Sequence, residues 1–451
     1  MPICDHILRK ARGLHIDECE AVVVLKNITT VRITDSEIAE IKQNSERVLA
    51  VRMIHEKRIL SLRGNNFEDE HILDRILKTK SFVKPRDFWK SLPYPSSFTK
   101  IEKTYDKKLE EITNIQAVDI ANRMIHAATD QKVTRISGSL NIVSEEFEIS
   151  NTNGLDCSDK ATYIAGTLNV DSDHGTEPVS GVGAATSRTL SAFSPESVGS
   201  DAFNMCLNSI NPQNCDVETY SVIFEPYAFG EMLAFVFASN FNLKTYSEKR
   251  TCFTGNLGQK IAVPEFNLID DPHILEGIGS KPFDDEGTPT RRRHLIESGV
   301  FCNTYSDSFY AFKENQQTTG NASRMGIPMG RYAQPIPNPL PHNLRVKEGD
   351  SKKEEIIQET KKGLLVGRLW YTYAVNPERG DFSCTARSGV RIIENGKITK
   401  AGKSVRIVHN LPTLLQNISG IGTDSKNVLQ WSALPCITPS VKVDGIRVNP
   451  I

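Results

Sequence analysis

The apolar and polar positions of the chain follow two periods, and the changes between them outline its elements. Asp5 to His15 has the spacing of an amphipathic helix, and Val22, Val23, Val24 and Leu25 form a run that predicts a buried strand over Ala21 to Lys26. Asp35 to Ala50 predicts a second helix, and Val51 to Leu62 a hairpin or strand pair. A polar, proline-bearing stretch from Thr79 to Tyr105 reads as a linker or long surface excursion. Val118, Ala121, Met124, Ile125 and Ala128 then recur at helical spacing, leaving His126 off the main stripe. Strand alternation through Leu140, Ile142, Phe147 and Ile149 ends at Asn153-Gly154, a strong hairpin signal, and a second strand follows over Ala161 to Asn169.

Ser194-Pro195-Glu196 supplies an N-cap and a first-turn proline for a helix to about Asn208. Tyr220 to Phe224 predicts a buried strand feeding a helix from Tyr227 to Ala238. Beyond Ile261 strands predominate: Phe266 to Ile269, Gly299 to Tyr305, Arg368 to Asn376, Val390 to Glu394, Lys397 to Ala401 and Val405 to Val408, with a tight turn at Asn395-Gly396. Lys352 to Lys362 predicts a helix stopped at Gly363, and Thr413 to Ile418 begins another. The proline-rich stretch Met325 to Pro341 should be an extended, partly polyproline loop. Strands in runs with segregated helices predict an α+β protein, an N-terminal α/β region followed by a strand-rich C-terminal domain.

Charge and composition narrow the function classes. Among 451 residues, 54 Lys and Arg against 55 Asp and Glu leave a net charge of -1, so no overall field draws the chain to nucleic acid or an anionic membrane. The first residues have no basic segment leading into an apolar core, and the most apolar stretch, Ala228 to Ala238, is interrupted by Glu231 and too short to span a bilayer. Nine scattered cysteines without CxxC spacing read as reduced thiols. These features predict a cytoplasmic protein without nucleic-acid or membrane partners.

Short motifs offer several chemistries, most with a plainer reading. Cys4-x-His6 and His15-x3-Cys19 could be drawn as a zinc site, but the spacings fit no common finger. Gly181-Val182-Gly183 lacks the context of a dinucleotide turn and predicts a flexible loop between sheet and helix. Gly255-Asn256-Leu257-Gly258 reads as a turn. No Gly-x-Ser-x-Gly elbow occurs, and Cys302, Cys384 and Cys436 have no base close in sequence. More informative is Phe283-Asp284-Asp285-Glu286-Gly287-Thr288, where three carboxylates end in a Gly-Thr turn. Such a cluster can hold a hard cation, share a proton or solvate a tight turn, and a structural turn is favoured over a cation site. Arg291-Arg292-Arg293 could compensate it, contact a peptide carboxylate, or form a solvated loop.

The carboxylate block is followed by Leu295-Ile296-Glu297-Ser298-Gly299-Val300, Thr319-Gly320-Asn321-Ala322 and Asn376-Pro377-Glu378-Arg379-Gly380-Asp381-Phe382-Ser383. In this order the four blocks resemble the C-terminal domain of the TldD/PmbA family, whose paired subunits form a zinc-dependent peptidase acting on small or unfolded peptides. The resemblance implies an N-terminal domain over 1–78, a linker over 79–112, a central domain over 113–215 and a C-terminal domain over 216–451. In the TldD-type subunit a His-Glu-x-x-x-His helix and a later Cys hold the metal, and the Glu is the general base. Here the ten histidines are nowhere closer than nine residues apart, and Ala234, Phe235 and Ser239 occupy the aligned positions.

The resemblance therefore implies the metal-less subunit type, with no catalytic residue, metal or cofactor of its own and zinc carried by a TldD-type partner. Its expected partners are that HExxxH subunit, small or unfolded peptides, and in some settings a second copy of the chain. Asp284, Asp285, Glu286, Gly287, Thr288, Gly320, Asn321 and Asn343 are expected to line the substrate cavity. Restoring the motif with Ala234→His, Phe235→Glu and Ser239→His is expected to destabilise the helix. The rival readings are a stand-alone hydrolase with a cation bound at Asp284, Asp285 and Glu286, and a non-enzymatic regulatory binding protein, as in the family's older gyrase-modulator label.

Overall fold

The computed structural model describes residues 2–67, 71–429 and 434–451. An antiparallel sheet of six strands, in the order β3-β2-β1-β4-β5-β6, forms its N-terminal half. These are β1 (Glu18–Thr34), β2 (Glu37–His55), β3 (Arg58–Gly64), β4 (Arg135–Asn151), β5 (Asp156–Ser172) and β6 (Val179–Ser187). Because β1 pairs with both β2 and β4, the first segment of the chain and the segment beyond Thr113 share one sheet. The apolar run of β1 is buried on both faces. Ala21 and Val23 pack against the N-terminal helix Pro2–Gly13, and Val22 and Val24 pack against Phe147, Ile149 and Phe283.

The helix expected over Asp35 to Ala50 is instead β2, joined to β1 by Asp35 and Ser36, both with positive φ. Its first ten residues are mostly exposed, so local composition favoured a helix, but continuous pairing from Glu37 to Ile54 along β1 decides the state. The loop expected at Gly181 to Thr186 is strand β6. Its glycines let the helix Pro195–Leu207 lie directly on the strand, since a Cβ on Gly183 would stand 2.0 Å from the Val198 carbonyl oxygen. The stretch after Thr79 is irregular as expected, but it is pinned rather than free. Trp89 and Leu92 are buried, and the Trp89 indole N–H and the Leu92 backbone N–H both donate to the Glu18 carboxylate.

Among the described residues the C-terminal half has two further large sheets around the largest core, besides the two-stranded pairing of Ala322–Ser323 with Asn338–Pro339. In one, β7 (Thr219–Phe224) joins the strands Lys362–Asn376, Asp381–Glu394, Val405–Asn410 and Val441–Pro450, and pairing of Lys362–Asn376 with Asp381–Glu394 closes these five into a barrel. The other contains β8 (Leu268–Asp270), β9 (Arg293–Glu297) and β10 (Val300–Phe301) beside Leu344–Val346 and two short strands. Of the predicted strands, Gly299 to Tyr305 shrinks to β10. The helix expected over Lys352 to Lys362 spans only Lys353–Gln358, because Lys362 already begins a barrel strand parallel to β7. The α+β class and the strand-rich C-terminal domain stand.

Candidate functional site

Asp284, Asp285 and Glu286 lie where the C-terminal half meets the first sheet, and all three are wholly buried. The even-numbered face of β1 places Glu20 and Lys26 there, on either side of Val22 and Val24, and the register sets Arg52 opposite Glu20 and Glu145 opposite Lys26. Arg52 donates to Glu286 at 2.6 Å and to Glu20 at 2.8 Å, and Arg324 donates to the other Glu20 oxygen at 2.5 Å. Arg331 bridges Asp285 at 2.9 Å and Asp159 at 2.7 Å, while Lys281 reaches Asp285 at 2.8 Å. The carboxylates are thus not a solvated turn. They are one side of a buried ion network in which Lys281 is local and the arginines come from 39 to 234 positions away.

Among the described residues Asp284 has no ion-pair partner, and it is held by backbone instead. Its side chain accepts from the N–H groups of Glu286, Thr288 and Ala322 at 3.0, 2.9 and 3.0 Å. Gly287, at φ +85, lets the turn close so that the Asp284 N–H reaches the Thr288 carbonyl at 2.8 Å. With every carboxylate already satisfied by guanidinium, ammonium or backbone, a cation bound there would have to displace the arginines. The cation-binding alternative therefore loses its site.

Burial, and then the neighbouring Glu286, push the Asp284 carboxyl up to about 8 against its three N–H donors. Burial likewise raises Asp307 and Asp270 to about 7. In Asp285 the effect of burial is outweighed by Lys281 and Arg331, which hold it well below the usual carboxylate range. Burial keeps His342 neutral down to about 3, so it contributes nothing to titration near pH 8. The raised carboxyls keep protons in the fold that the unfolded chain has already lost, so stability should fall as pH rises through about 7 to 9. Calorimetry should show a lower Tm at pH 9 than at pH 7; an equal or higher Tm at pH 9 contradicts the raised values.

The remaining predicted cavity residues divide. Asn321 donates to Asp270 at 2.6 Å, and Asn343 donates to the Asp271 carbonyl at 2.7 Å and to Ser280 at 3.0 Å; both are buried. Gly320, at φ +74, presents its carbonyl to His342 Nε2 at 2.8 Å. These three brace the loops rather than face open space. Asp285 touches a small cavity of about 70 Å³, Glu286 lines one of about 240 Å³ beside Arg52 and Asp307, and Thr288 lines one of about 590 Å³. Glu20, Arg52, Arg324 and Arg331 escaped the sequence reading; the only local signal was a charged residue at each end of the apolar run of β1.

The stretch aligned with the metal helix is helical but changes pitch. Pro226–Met232 is α-helical, Leu233–Phe237 forms a π-helical turn, and Ala238–Phe241 tightens to a 3₁₀ turn. Residues five apart diverge by about 140° around an α-helix, whereas a π turn with its i to i+5 bonding brings them back to one side. Ala234 and Ser239 are such a pair. Leu233, Val236 and Phe237 are packed core, as expected, but Ala234 and Phe235 are half-buried and Ser239 is exposed. The expectation that restoring all three residues destabilises the helix rests on Ala234, which packs against the core, and on the half-buried Phe235. Ser239→His alone should shift stability by less than about 1 kcal/mol, checked by urea denaturation, because Ser239 is exposed, whereas a histidine at Ala234 meets the core that Ala234 packs against.

Cys4 and Cys19 are core residues, while His6 and His15 point to solvent, so the drawn zinc site is not assembled. Burial raises the thiols of Cys384 and Cys436 far above their ordinary value, which removes both as nucleophiles. No helix among the described residues is long and apolar enough to cross a membrane.

A closed barrel, a long antiparallel sheet and an acidic turn locked between them make up this architecture, and comparison with known proteins gives its family. Residues 217–450 match the PmbA/TldA metallopeptidase C-terminal domain and residues 107–209 the PmbA/TldA metallopeptidase central domain. The chain belongs to the PmbA/TldD family. It is 27% identical over 251 residues to the metalloprotease PmbA of Escherichia coli O157:H7, an alignment covering 56% of this chain and 51% of that protein. It is 24% identical over 364 residues to the metalloprotease TldD homolog of Haemophilus influenzae, covering 76% and 73%. Its fold is that of TldE from Thermococcus kodakarensis, with a TM-score of 0.89 at 23% identity over 99% of both chains.

Proposed function

We propose that this chain is the metal-free subunit of a cytoplasmic zinc-dependent peptidase and works only with a TldD-type partner. One observation supports the reading: a π turn over Leu233–Phe237 lies where the family's metal helix aligns, yet the aligned positions hold Ala234, Phe235 and Ser239. None of the three can ligate a metal or take a proton from water. In the partner, zinc would polarise the scissile carbonyl and supply the attacking water. This chain would contribute the wall against which a small or unfolded peptide is held, and its ion-locked core would keep that wall rigid.

The test is to mix the purified chain with a TldD-type subunit and follow cleavage of an unstructured peptide, with and without a chelator. Cleavage should appear in the mixture, vanish with the chelator, and be absent from this chain alone. Equal activity of the isolated chain, or full activity of the partner by itself, would sink the reading. Metal analysis of the isolated, tag-free chain should find no stoichiometric zinc.

A further inference from the structure

The triplet Arg291-Arg292-Arg293 leads into β9 and is split by it. Arg292 turns to Asp271, with its Nε 3.5 Å from the carboxylate. Arg291 and Arg293, two residues apart and so on the same side of an extended chain, both line the cavity of about 590 Å³ that Thr288 enters. That volume falls within the range of about 300–1,000 Å³ typical of small-ligand sites. Among the described residues its lining includes no carboxylate, and neither guanidinium is ion-paired.

Two buried polar atoms in the lining lack partners. Arg293 Nη1 donates to Asn303 at 3.3 Å, but its Nε has no acceptor, and neither does Thr288 Oγ1 find a partner. Burial depresses the pKa of Arg293, Asp270 draws it back up, and Arg291 adds to the depression. Two guanidiniums facing one concavity without an anion repel each other, and a carboxylate between them would relieve that while accepting in the paired manner a guanidinium favours. The rest of the lining is too large and too mixed for a bare ion. Tyr246 and Phe312 offer apolar surface, and Asn303 and Gln317 offer amide groups suited to peptide bonds. Tyr246 sits on the short helix Leu243–Ser247, whose Thr245 hydroxyl donates to the Ser239 carbonyl, so the cavity adjoins the end of the π-turn helix.

We propose that this cavity is an anchor for the C-terminal carboxylate of a short peptide, held by Arg291 and Arg293. The substrate class rests on the peptide-processing reading above; the anchor itself is tested without the partner. The full chain would be titrated calorimetrically with N-acetylated Ala-Ala-Phe as the free acid and as its C-terminal amide, at low ionic strength. The acid should bind about tenfold or more tightly than the amide. Arg291→Gln and Arg293→Gln should each abolish most of that difference, Arg293→Lys should restore only part of it because an ammonium lacks the fork, and Arg292→Gln should leave it unchanged.

Equal binding of acid and amide, or no binding of the acid at millimolar concentration, would overturn the anchor. So would an Arg293→Gln variant that melts and binds like the parent. Inorganic phosphate binding as tightly as the acid would reassign the cavity to simple anions and equally overturn it. If the acid fails to bind while the mixed subunits still cleave peptide, the anchor falls and the subunit reading survives; binding without cleavage is the reverse.

Discussion

Arg331→Met is expected to lower the stability of the chain by about 3–5 kcal/mol, the cost of leaving buried carboxylates without their cation. The methionine keeps much of the volume, so the loss is electrostatic rather than a cavity. Arg331 is wholly buried between Asp285 and Asp159, with Glu145 3.8 Å from its guanidinium, and it stacks over Phe147 at 4.6 Å. Removing it leaves Asp285, among the described residues, with Lys281 as its remaining ion-pair partner and leaves Glu145 with Lys26, 3.7 Å away. The urea midpoint should drop accordingly, and adding Asp285→Asn to Arg331→Met should return part of the loss by removing one of the stranded charges. A cost below about 1 kcal/mol would mean that the network is open to water and not the dry lock described here.

Gly183→Ala should cost about 1–3 kcal/mol through overpacking alone. The added methyl carbon would lie 2.0 Å from the Val198 carbonyl oxygen and 2.7 Å from the Ala202 nitrogen, both backbone atoms that no rotamer change can move. The whole helix Pro195–Leu207 would have to lift from β6, and Val198, Ala202 and Cys206 would lose contact with the core they share with Met124. Ala184→Ser, one residue on and half-buried on the other face, should stay within about 0.5 kcal/mol. If the two variants melt alike, the helix is not seated on the strand as closely as the structure has it.

These two sites also separate what could be read from sequence. The glycines at 181 and 183 looked like a loop because glycine disfavours strands. They are strand residues because a helix some fifteen positions later comes to rest on them, and nothing local signals that approach. The helix expected over Asp35 to Ala50 failed for a related reason: half of β2 is exposed and composed of good helix formers, and only its partner β1 holds it extended. The Asp284, Asp285 and Glu286 block was visible as a motif, but its solvation was not. Of its cations, Arg52, with the further carboxylate Glu20, comes from strands more than two hundred positions earlier, and Arg324 and Arg331 come from a loop some forty positions later.

The sequence by itself determined the elements whose period is local and strong. These are the helix over Asn114–Ala128, the helix over Pro195–Leu207 with its Ser194 cap, the hairpin at Asn153-Gly154, and the strand-rich C-terminal half. It also determined that Ala234, Phe235 and Ser239 carry no ligand, since that depends on residue identity alone. Only the tertiary structure decided that a π turn runs through this stretch with Ser239 exposed and Ala234 against the core, that the acidic block is buried and saturated, and that Arg291 and Arg293 share a cavity while Arg292 does not. Helix pitch, burial and the direction of a side chain are set by what packs or pairs against the segment, and those neighbours are distant in the chain.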